Sequence, residues 1–139
     1  KEMDIKIVAG GKDINFSGKY PGILEETYLA MKKEKPVFLI GGFGGATKKI
    51  IDILQGNISE VFSLKNQLQN PEFKKLYEYY ESIGEKEEID YEKINLFLKA
   101  KGIEGLNNGL SIEENITLFE SANLYEIVSL IIKGINNIK

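Results

Sequence analysis

The sequence lacks cysteine, histidine and arginine, so that all 18 basic residues are lysines. A disulfide, a Cys or His metal site, a cysteine nucleophile and a histidine general base are therefore excluded within these 139 residues. An all-oxygen site for Mg²⁺ or Ca²⁺ is not excluded, but the alternating Asp and Asn pattern of an EF-hand is missing. We expect neither a metal nor another cofactor, and the lack of cysteine is typical of a cytoplasmic protein.

Long apolar runs and a surplus of positive charge are also missing. No run approaches the roughly 20 apolar residues that cross a bilayer, so we expect no membrane span. The formal net charge is −3, which argues against general binding to nucleic acid through a basic surface. The 42% of hydrophobic and 28% of charged residues are ordinary for a globular protein with one core. Because the chain begins at Lys1 without a methionine, we expect it to be part of a longer protein.

Two short apolar runs, residues 5–9 and 37–40, each end at a pair of glycines. Short runs of β-branched and aromatic residues that stop at glycine are typical of strands buried on both faces of a parallel sheet. Pro21 suits the start of a helix between the two runs, and residues 47–54 have the spacing of a second helix. Residues 5–40 therefore predict one βαβ unit with the usual right-handed crossover.

After residue 56 the sequence is typical of helices, with apolar residues at helical spacing and few glycines or prolines. The cap signals of this half are Asn70-Pro71, Asp90 and the capping box Ser111-Ile-Glu-Glu114. The last helix, predicted over residues 123–135, has the most regular spacing. We predict that its apolar stripe packs against a core, through Leu124, Ile127, Val128, Ile131 and Ile135.

Only two strong strands can be found in the sequence, and a two-stranded parallel sheet is not stable by itself. We therefore expect further strands upstream of this chain. The predicted fold class is α/β, with a parallel sheet that is incomplete in this chain and a mainly helical C-terminal half. We predict that residues 1–56 form a βαβα part of the domain and that residues 57–139 form a helical extension packed on the same domain.

Both predicted strands lead into glycine-rich loops, and ligands bind at the carboxyl ends of strands in open parallel sheets. Glycine lets backbone amides approach a ligand closely, and each loop leads into a helix start that attracts phosphate. Lysines would add positive charge, and aromatic residues could stack on a base. The candidate ligand-binding residues are Gly10, Gly11, Lys12, Phe16, Ser17, Gly18, Lys19, Tyr20, Gly22, Glu25, Glu26, Gly41, Gly42, Phe43, Gly44 and Gly45.

Each of these features also has a plainer interpretation. A pair of glycines after a strand is often only a turn, although two such loops on consecutive strands favour a phosphate-bearing ligand. The loops match neither a P-loop nor a good dinucleotide fingerprint. Glu25 and Glu26 supply favourable charge at a helix start. The functional alternatives are that one of them holds ribose hydroxyls or assists the loss of a base from a ribose.

The string Gly18-Lys-Tyr-Pro-Gly-Ile-Leu-Glu-Glu26 resembles the glycine-rich signature, ending in glutamate, of the LOG/DprA-like (SLOG) nucleotide-binding superfamily. Residues 37–46 resemble its next strand and loop, and residues 107–115, 118–119 and 126–134 are loosely similar to the tail of bacterial SLOG sensor proteins. Some of those are joined to TIR or sirtuin-like domains in antiphage defence. The resemblance implies a Rossmann-like fold whose first strands precede this chain. It also implies binding of a nucleotide or an NAD-derived signal.

Enzymes of the LOG group pair their glutamate with an arginine and carry a Gly-Thr pair where this chain has Pro21-Gly22. Because this chain has no arginine, we favour a non-catalytic sensor domain for an ADP-ribose-like signal, linear or cyclic. The alternative is a nucleotide 5′-monophosphate phosphoribohydrolase in which Glu25 or Glu26 is the acid–base group. A third hypothesis is a helical domain that only makes protein contacts. The expected partners are the nucleotide, an upstream or fused domain and further copies in a homo-oligomer.

Overall fold

A computed structural model of the chain describes residues 4–14, 16, 18–57, 59–84 and 89–139. These residues form two strands, seven α-helices and a short 3-10 helix at Ile103–Leu106, which confirms the predicted α/β class. The strands are β1 (Lys6–Ala9) and β2 (Val37–Ile40). The helices are α1 (Gly22–Lys32), α2 (Gly45–Leu54), α3 (Leu64–Gln67), α4 (Pro71–Ser82), α5 (Tyr91–Lys101), α6 (Ile112–Glu120) and α7 (Leu124–Ile138).

The two strands pair in parallel, in register from Lys6 opposite Val37 to Ala9 opposite Ile40. Helix α1 connects them, so the predicted βαβ unit is confirmed. Because the strands are parallel and in register, the loops that follow both of them leave the same edge of the sheet. This edge is where sequence reasoning put the candidate site.

Side chains alternate between the two faces of β2, and helices cover both faces. Val37 and Leu39 join one hydrophobic cluster that includes residues of α1, α2 and α5. Phe38 and Ile40 join a second, smaller cluster with Leu118 of α6 and residues of α7. All four residues of β2 are buried, as the continuous apolar run predicts for a strand with two covered faces.

The edge of β2 that faces away from β1 is contacted by a side chain from the helical half. Lys6 N–H donates to the carbonyl of Pro36, so that the next carbonyl, of Val37, points away from β1. Asn108 Nδ2 donates to this carbonyl at 2.8 Å and to Asn115 Oδ1 at 2.7 Å. Both asparagines are buried. A buried amide side chain therefore satisfies part of a strand edge that another strand would otherwise cover.

Helix α7 is less buried than its spacing predicts. Ile127 is buried, whereas Leu124 (66% exposed) and Val128 lie at the surface. The prediction that the whole apolar stripe faces a core is therefore wrong for these two residues. At Gly134 the helix comes close to the sheet, because an added Cβ there would lie 2.6 Å from the ring of Phe38. The helix approaches the sheet along the side that carries Ile127 and Gly134, and the neighbouring flank stays outside.

The first and second halves of the described chain share the larger hydrophobic cluster. It contains Leu24 and Ile50 from the first half together with Phe62, Phe73 and Leu98 from the second. The boundary near residue 56 and the further strands upstream stay predictions. Within the described part of the chain, no helix combines the length and the apolar character that crossing a bilayer requires.

Candidate functional site

The two glycine-rich loops touch each other at the edge of the sheet. The amides of Ala46 and Thr47, in the first turn of α2, donate to the carbonyls of Gly11 and Gly10 at 3.0 and 2.9 Å. The Thr47 hydroxyl also donates to the Gly10 carbonyl, at 2.9 Å. These bonds fix the first loop against the start of α2. They also explain why α2 begins at Gly45, two residues earlier than predicted, because partners from another loop stabilise its first turn.

Several of the predicted site glycines make room for the protein itself. A side chain at Gly41 would overlap the backbone carbonyl of Phe119, and one at Gly42 would overlap that of Ser121. A Cβ at Gly45 would lie 2.6 Å from the carbonyl oxygen of Gly11. At Gly11 itself an added Cβ would overlap the side chain of Ile23. For these four glycines, close packing of the chain is a sufficient reason for the absence of a side chain.

Other predicted site glycines face open space. A Cβ added at Gly10, Gly18, Gly22 or Gly44 would meet no atom of the described residues within 4 Å. Gly44 also has a φ of 70°, which most side chains disfavour. Open space therefore borders the backbone at these positions, and the positive φ of Gly10, Gly18 and Gly44, rather than packing, accounts for glycine at three of them.

Helices α1 and α2 begin without a side-chain cap from the described residues. Pro21 precedes α1 and Gly44 precedes α2, and neither makes a side-chain cap hydrogen bond. The first amides of any helix lack partners within that helix and carry the positive end of its dipole. In α2 two of these amides bind the glycine loop carbonyls described above. The start of α1 is the more open of the two for an anion.

The charged candidates lie around these loops. Lys12 is exposed directly after Gly11, and Glu25 and Glu26 are exposed on α1, with Glu25 in its first turn. Lys19 is half-buried, and its ammonium lies 4.3 Å from the ring centre of Tyr80. Lys19 therefore contacts the helical half as well as bordering the loop before α1.

The aromatic candidates differ in how far they are exposed. Phe43, in the second loop, is 53% exposed and can accept a stacking partner. Phe16 is half-buried and packs edge-on against Phe73 at 6.1 Å. Tyr20 packs against Tyr91 at 5.0 Å. The structure thus anchors two of the three aromatic candidates to helices of the second half.

Tyr20 and Tyr91 connect the loop before α1 to the start of α5. The Asp90 amide donates to the Tyr20 hydroxyl oxygen at 2.6 Å, and the Tyr91 hydroxyl donates to the carbonyl of Lys19 at 3.1 Å. Burial raises the pKa of both phenols above the usual 10.0. Both side chains therefore stay protonated at neutral pH and keep the bond from Tyr91 intact.

Sequence reasoning missed two residues that shape the site. Thr47 is buried beneath the first loop, and Gln67 Nε2 donates to the carbonyls of Asp13 and Val61 at 3.1 and 2.8 Å. A threonine at a glycine-rich helix start was a usable signal, whereas nothing local distinguishes Gln67. Ser17 lies outside the described residues. The role of each candidate in binding stays a prediction.

The comparisons with known proteins identify the family of the chain. Neither a curated protein nor a solved structure matches the chain. The family model described as SLOG cluster2 matches residues 1–118. This range includes both strands, both glycine-rich loops and helices α1 to α5 completely. The chain therefore belongs to the SLOG cluster2 family, a membership that implies a nucleotide-binding domain of the SLOG type.

Proposed function

We propose that the two glycine-rich loops and the start of α1 hold the phosphate groups of the nucleotide. The observation that carries this proposal is the start of α1, which follows Pro21 beside these loops without a side-chain cap. An anionic oxygen is the natural partner for such amides, because the helix dipole and the free N–H groups act together. Lys12, exposed at the end of the first loop, adds a positive charge.

The rest of the nucleotide would lie along the same edge. Phe43 offers an exposed ring for stacking on a base. Glu25 and Glu26 are exposed on α1, and a carboxylate is a good acceptor for ribose hydroxyls. This combination of phosphate, ribose and base contacts suits an ADP-ribose-like molecule, linear or cyclic.

We infer that binding regulates a partner domain rather than leading to a reaction. The absence of arginine from the chain removes the residue that the LOG enzymes pair with their glutamate. The resemblance to bacterial SLOG sensors favours an NAD-derived signal and a role in antiphage defence. In such a role the nucleotide would favour one arrangement of a fused domain or of a homo-oligomer.

A single charge at the start of α1 tests the phosphate contact. In Gly22→Asp, the carboxylate is expected to preserve the helix start but to repel phosphate. Isothermal titration with AMP, ADP-ribose and cyclic ADP-ribose should show an affinity about ten-fold lower than that of the unaltered chain. Gly22→Ala controls for side-chain size, because a Cβ meets no described atom there. Tyr125→Asp places the same charge at the start of α7, on a residue that is 91% exposed.

The expected result is weaker binding in Gly22→Asp alone. Equal affinity in all three variants would show that the phosphate does not lie at the start of α1. No heat from any of the three nucleotides would contradict the whole proposal. A preference for ADP-ribose or its cyclic form over AMP supports the NAD-derived signal, and equal binding of all three contradicts it.

The alternative function is that of a nucleotide 5′-monophosphate phosphoribohydrolase. Its support is that both candidate acid–base carboxylates are exposed beside the proposed phosphate contact. Incubation with AMP and chromatography for free adenine distinguishes the two functions. Release of adenine that is abolished in Glu25→Gln or Glu26→Gln would establish the enzyme, whereas binding without release supports the sensor.

A further inference from the structure

Strand β1 has an edge that no described strand covers, since the sheet consists of β1 and β2 alone in the described part of the chain. Lys6 N–H donates to the Pro36 carbonyl beside β2. Because every second residue of a parallel strand faces the same neighbour, the N–H and C=O groups of Ile5, Ile7 and Ala9 point away from β2. No backbone hydrogen bond between described residues reaches them there. Such an edge is a template for another strand.

Helix α7 has an apolar, exposed side, which we call its outer flank. It consists of Leu124, Val128 and Ile132, which are 66, 51 and 54% exposed. Their spacing of four residues places them above one another along the helix. The two charged residues within the helix, Glu126 and Lys133, lie on the opposite side. The outer flank therefore carries no charge that would oppose contact with another apolar surface.

The outer flank faces the uncovered edge of β1. On the opposite side of α7, Lys133 forms an ion pair with Glu114 of α6. Helix α6 lies at the far edge of β2, where its Asn115 binds the Asn108 side chain that contacts this edge. The outer flank thus points away from α6 and toward β1. Ile7, which is 54% exposed, lies on the same face of the sheet, because its register partner in β2 belongs to the cluster that α7 covers.

A second copy of this chain fits both the strand edge and the outer flank. If the two β1 strands pair antiparallel about a two-fold axis perpendicular to the sheet, both α7 helices lie on one face and their outer flanks turn toward each other. Two strands occupy about 10 Å of a sheet, so that one α7 on each pair gives a separation close to the interaxial distance of about 8–10 Å in packed helices. An extended peptide would cover the strand edge but leave the outer flank exposed.

The groups that point outward also fix the register of this pairing. Ile7 exchanges two hydrogen bonds with Ile7 of the second copy, and Ile5 pairs in the same way with Ala9. On the other face of the sheet Lys6 lies opposite Val8, so that no like charges oppose each other across the strands. Because a side chain already contacts the far edge of β2, the assembly closes at four strands.

We propose that this chain forms a two-fold dimer through β1 and the outer flank of α7, with one four-stranded sheet running through both copies. The exposed parts of Ile7, Leu124, Val128 and Ile132 amount to on the order of 400 Å² per copy, and an apolar patch of about 300–600 Å² is often functional. Two such patches and the paired strand edges together reach about 1,000 Å², the size that a specific interface needs.

Sedimentation equilibrium of the chain should show a monomer and a dimer with a dissociation constant below about 100 µM. Ile7→Lys places two like charges opposite each other across the strands, and Val128→Glu places a charge on the outer flank. Each should weaken the dimer about ten-fold or more. Both residues are exposed in the single copy, so the fold should be retained, as circular dichroism checks. Leu96→Lys is the matched control, because Leu96 is 61% exposed on α5, which packs on the other face of the sheet.

A mixture of two variants tests the register. Ile7→Glu alone should weaken the dimer as Ile7→Lys does, whereas an equal mixture of both should associate again, because opposite charges then face each other. Gly22→Asp should leave self-association unchanged, which separates this dimer from the nucleotide contact at the start of α1. A chain that stays monomeric at about 500 µM would overturn the inference. A dimer that persists in both Ile7→Lys and Val128→Glu, or a mixture that does not associate, would also overturn it.

Discussion

Helices begin differently in the two halves of this chain. The five α-helices described in the second half start at Ser63, Asn70, Asp90, Ser111 and Asn123, and each of these side chains accepts a first-turn amide. The two helices of the first half start after Pro21 and Gly44 without a described side-chain cap. In the second half, side chains of the chain itself therefore accept hydrogen bonds from the amides at the starts of the α-helices. In the first half, the carbonyls of Gly10 and Gly11 accept two amides of α2, and the start of α1 is left open, where a charged ligand can complete it.

The halves also differ in what they contribute where they meet. Gly41 and Gly42 of the first half have no side chain, and the backbone around Phe119 and Ser121 of the second half packs directly against them. The second half contributes polar side chains, above all Asn108, to the strand edge. The open loops thus depend on the helical half for their support.

Gly41→Ala should have the largest effect, because it inserts a side chain where the backbones of the two halves are in close contact. The added methyl group would overlap the Phe119 carbonyl and crowd Ile51, and we expect a loss of about 3 kcal/mol in the free energy of unfolding. Urea unfolding followed by circular dichroism measures it. Gly22→Ala is the control and should be neutral or slightly stabilising. Equal stability of both variants would show that the halves do not meet closely at Gly41.

Asn108→Ala should lower the free energy of unfolding by about 2 kcal/mol, because it leaves the Val37 carbonyl and the Asn115 side chain buried without their partner. Asn137→Ala removes a comparable bond, from Nδ2 to the Gly109 carbonyl at 2.9 Å, but at an exposed site. It should therefore cost less than about 1 kcal/mol. The same unfolding experiment compares the two, and similar losses would contradict the role of Asn108 at the strand edge.

Asn123→Ala tests the capped starts themselves. Its side chain accepts the amides of Tyr125 and Glu126 at 3.0 and 3.3 Å, and loss of this cap should cost about 1 kcal/mol. Thermal unfolding with and without ADP-ribose extends the comparison. The ligand should raise the melting temperature of the variant and of the unaltered chain equally, since the proposed nucleotide site lies in the other half. An unequal shift would link α7 to the nucleotide site.

The smallest expected effect is a decrease in the free energy of unfolding at alkaline pH. It is caused by the phenol of Tyr91, which donates to the carbonyl of Lys19. Burial raises the pKa of Tyr91 above its usual 10.0. Just above pH 10 the unfolded chain loses the phenol proton while the folded chain keeps it, so the stability falls as pH rises. The loss from this group should be less than about 1 kcal/mol near pH 10.5. Tyr91→Phe should show a shallower decline between pH 9 and about 10.5, and an identical decline would contradict the assignment.

Local patterns in the sequence predicted most of the first half and three of the five side-chain caps of the second, at Asn70, Asp90 and Ser111. The runs stopped by glycine became β1 and β2, and the capping box at Ser111 is present as predicted. These features depend on residues a few positions apart, so that a local pattern suffices to find them. Helix α3 was not predicted, because four residues carry too little periodicity to stand out.

The candidate site was predicted as a group of residues but not as a set of contacts. That the two glycine pairs lie at one edge follows from the parallel strands alone. The parallel strands do not determine which glycines face open space, since Gly42 is crowded by Ser121, a residue far along the chain. The anchoring of Tyr20 by Asp90 likewise depends on a contact that spans 70 positions.

The sequence by itself determined the βαβ unit, the glycine-rich loops after both strands and the helical character of the second half. All of these follow from backbone preferences and from apolar spacing over short stretches. Only the tertiary structure decided that Asn108 closes the edge of β2, that Gly41 and Gly42 receive the backbone of another segment, and that one flank of α7 stays exposed. Those outcomes depend on how preformed elements fit together in space, and close packing sets that fit between residues remote in sequence.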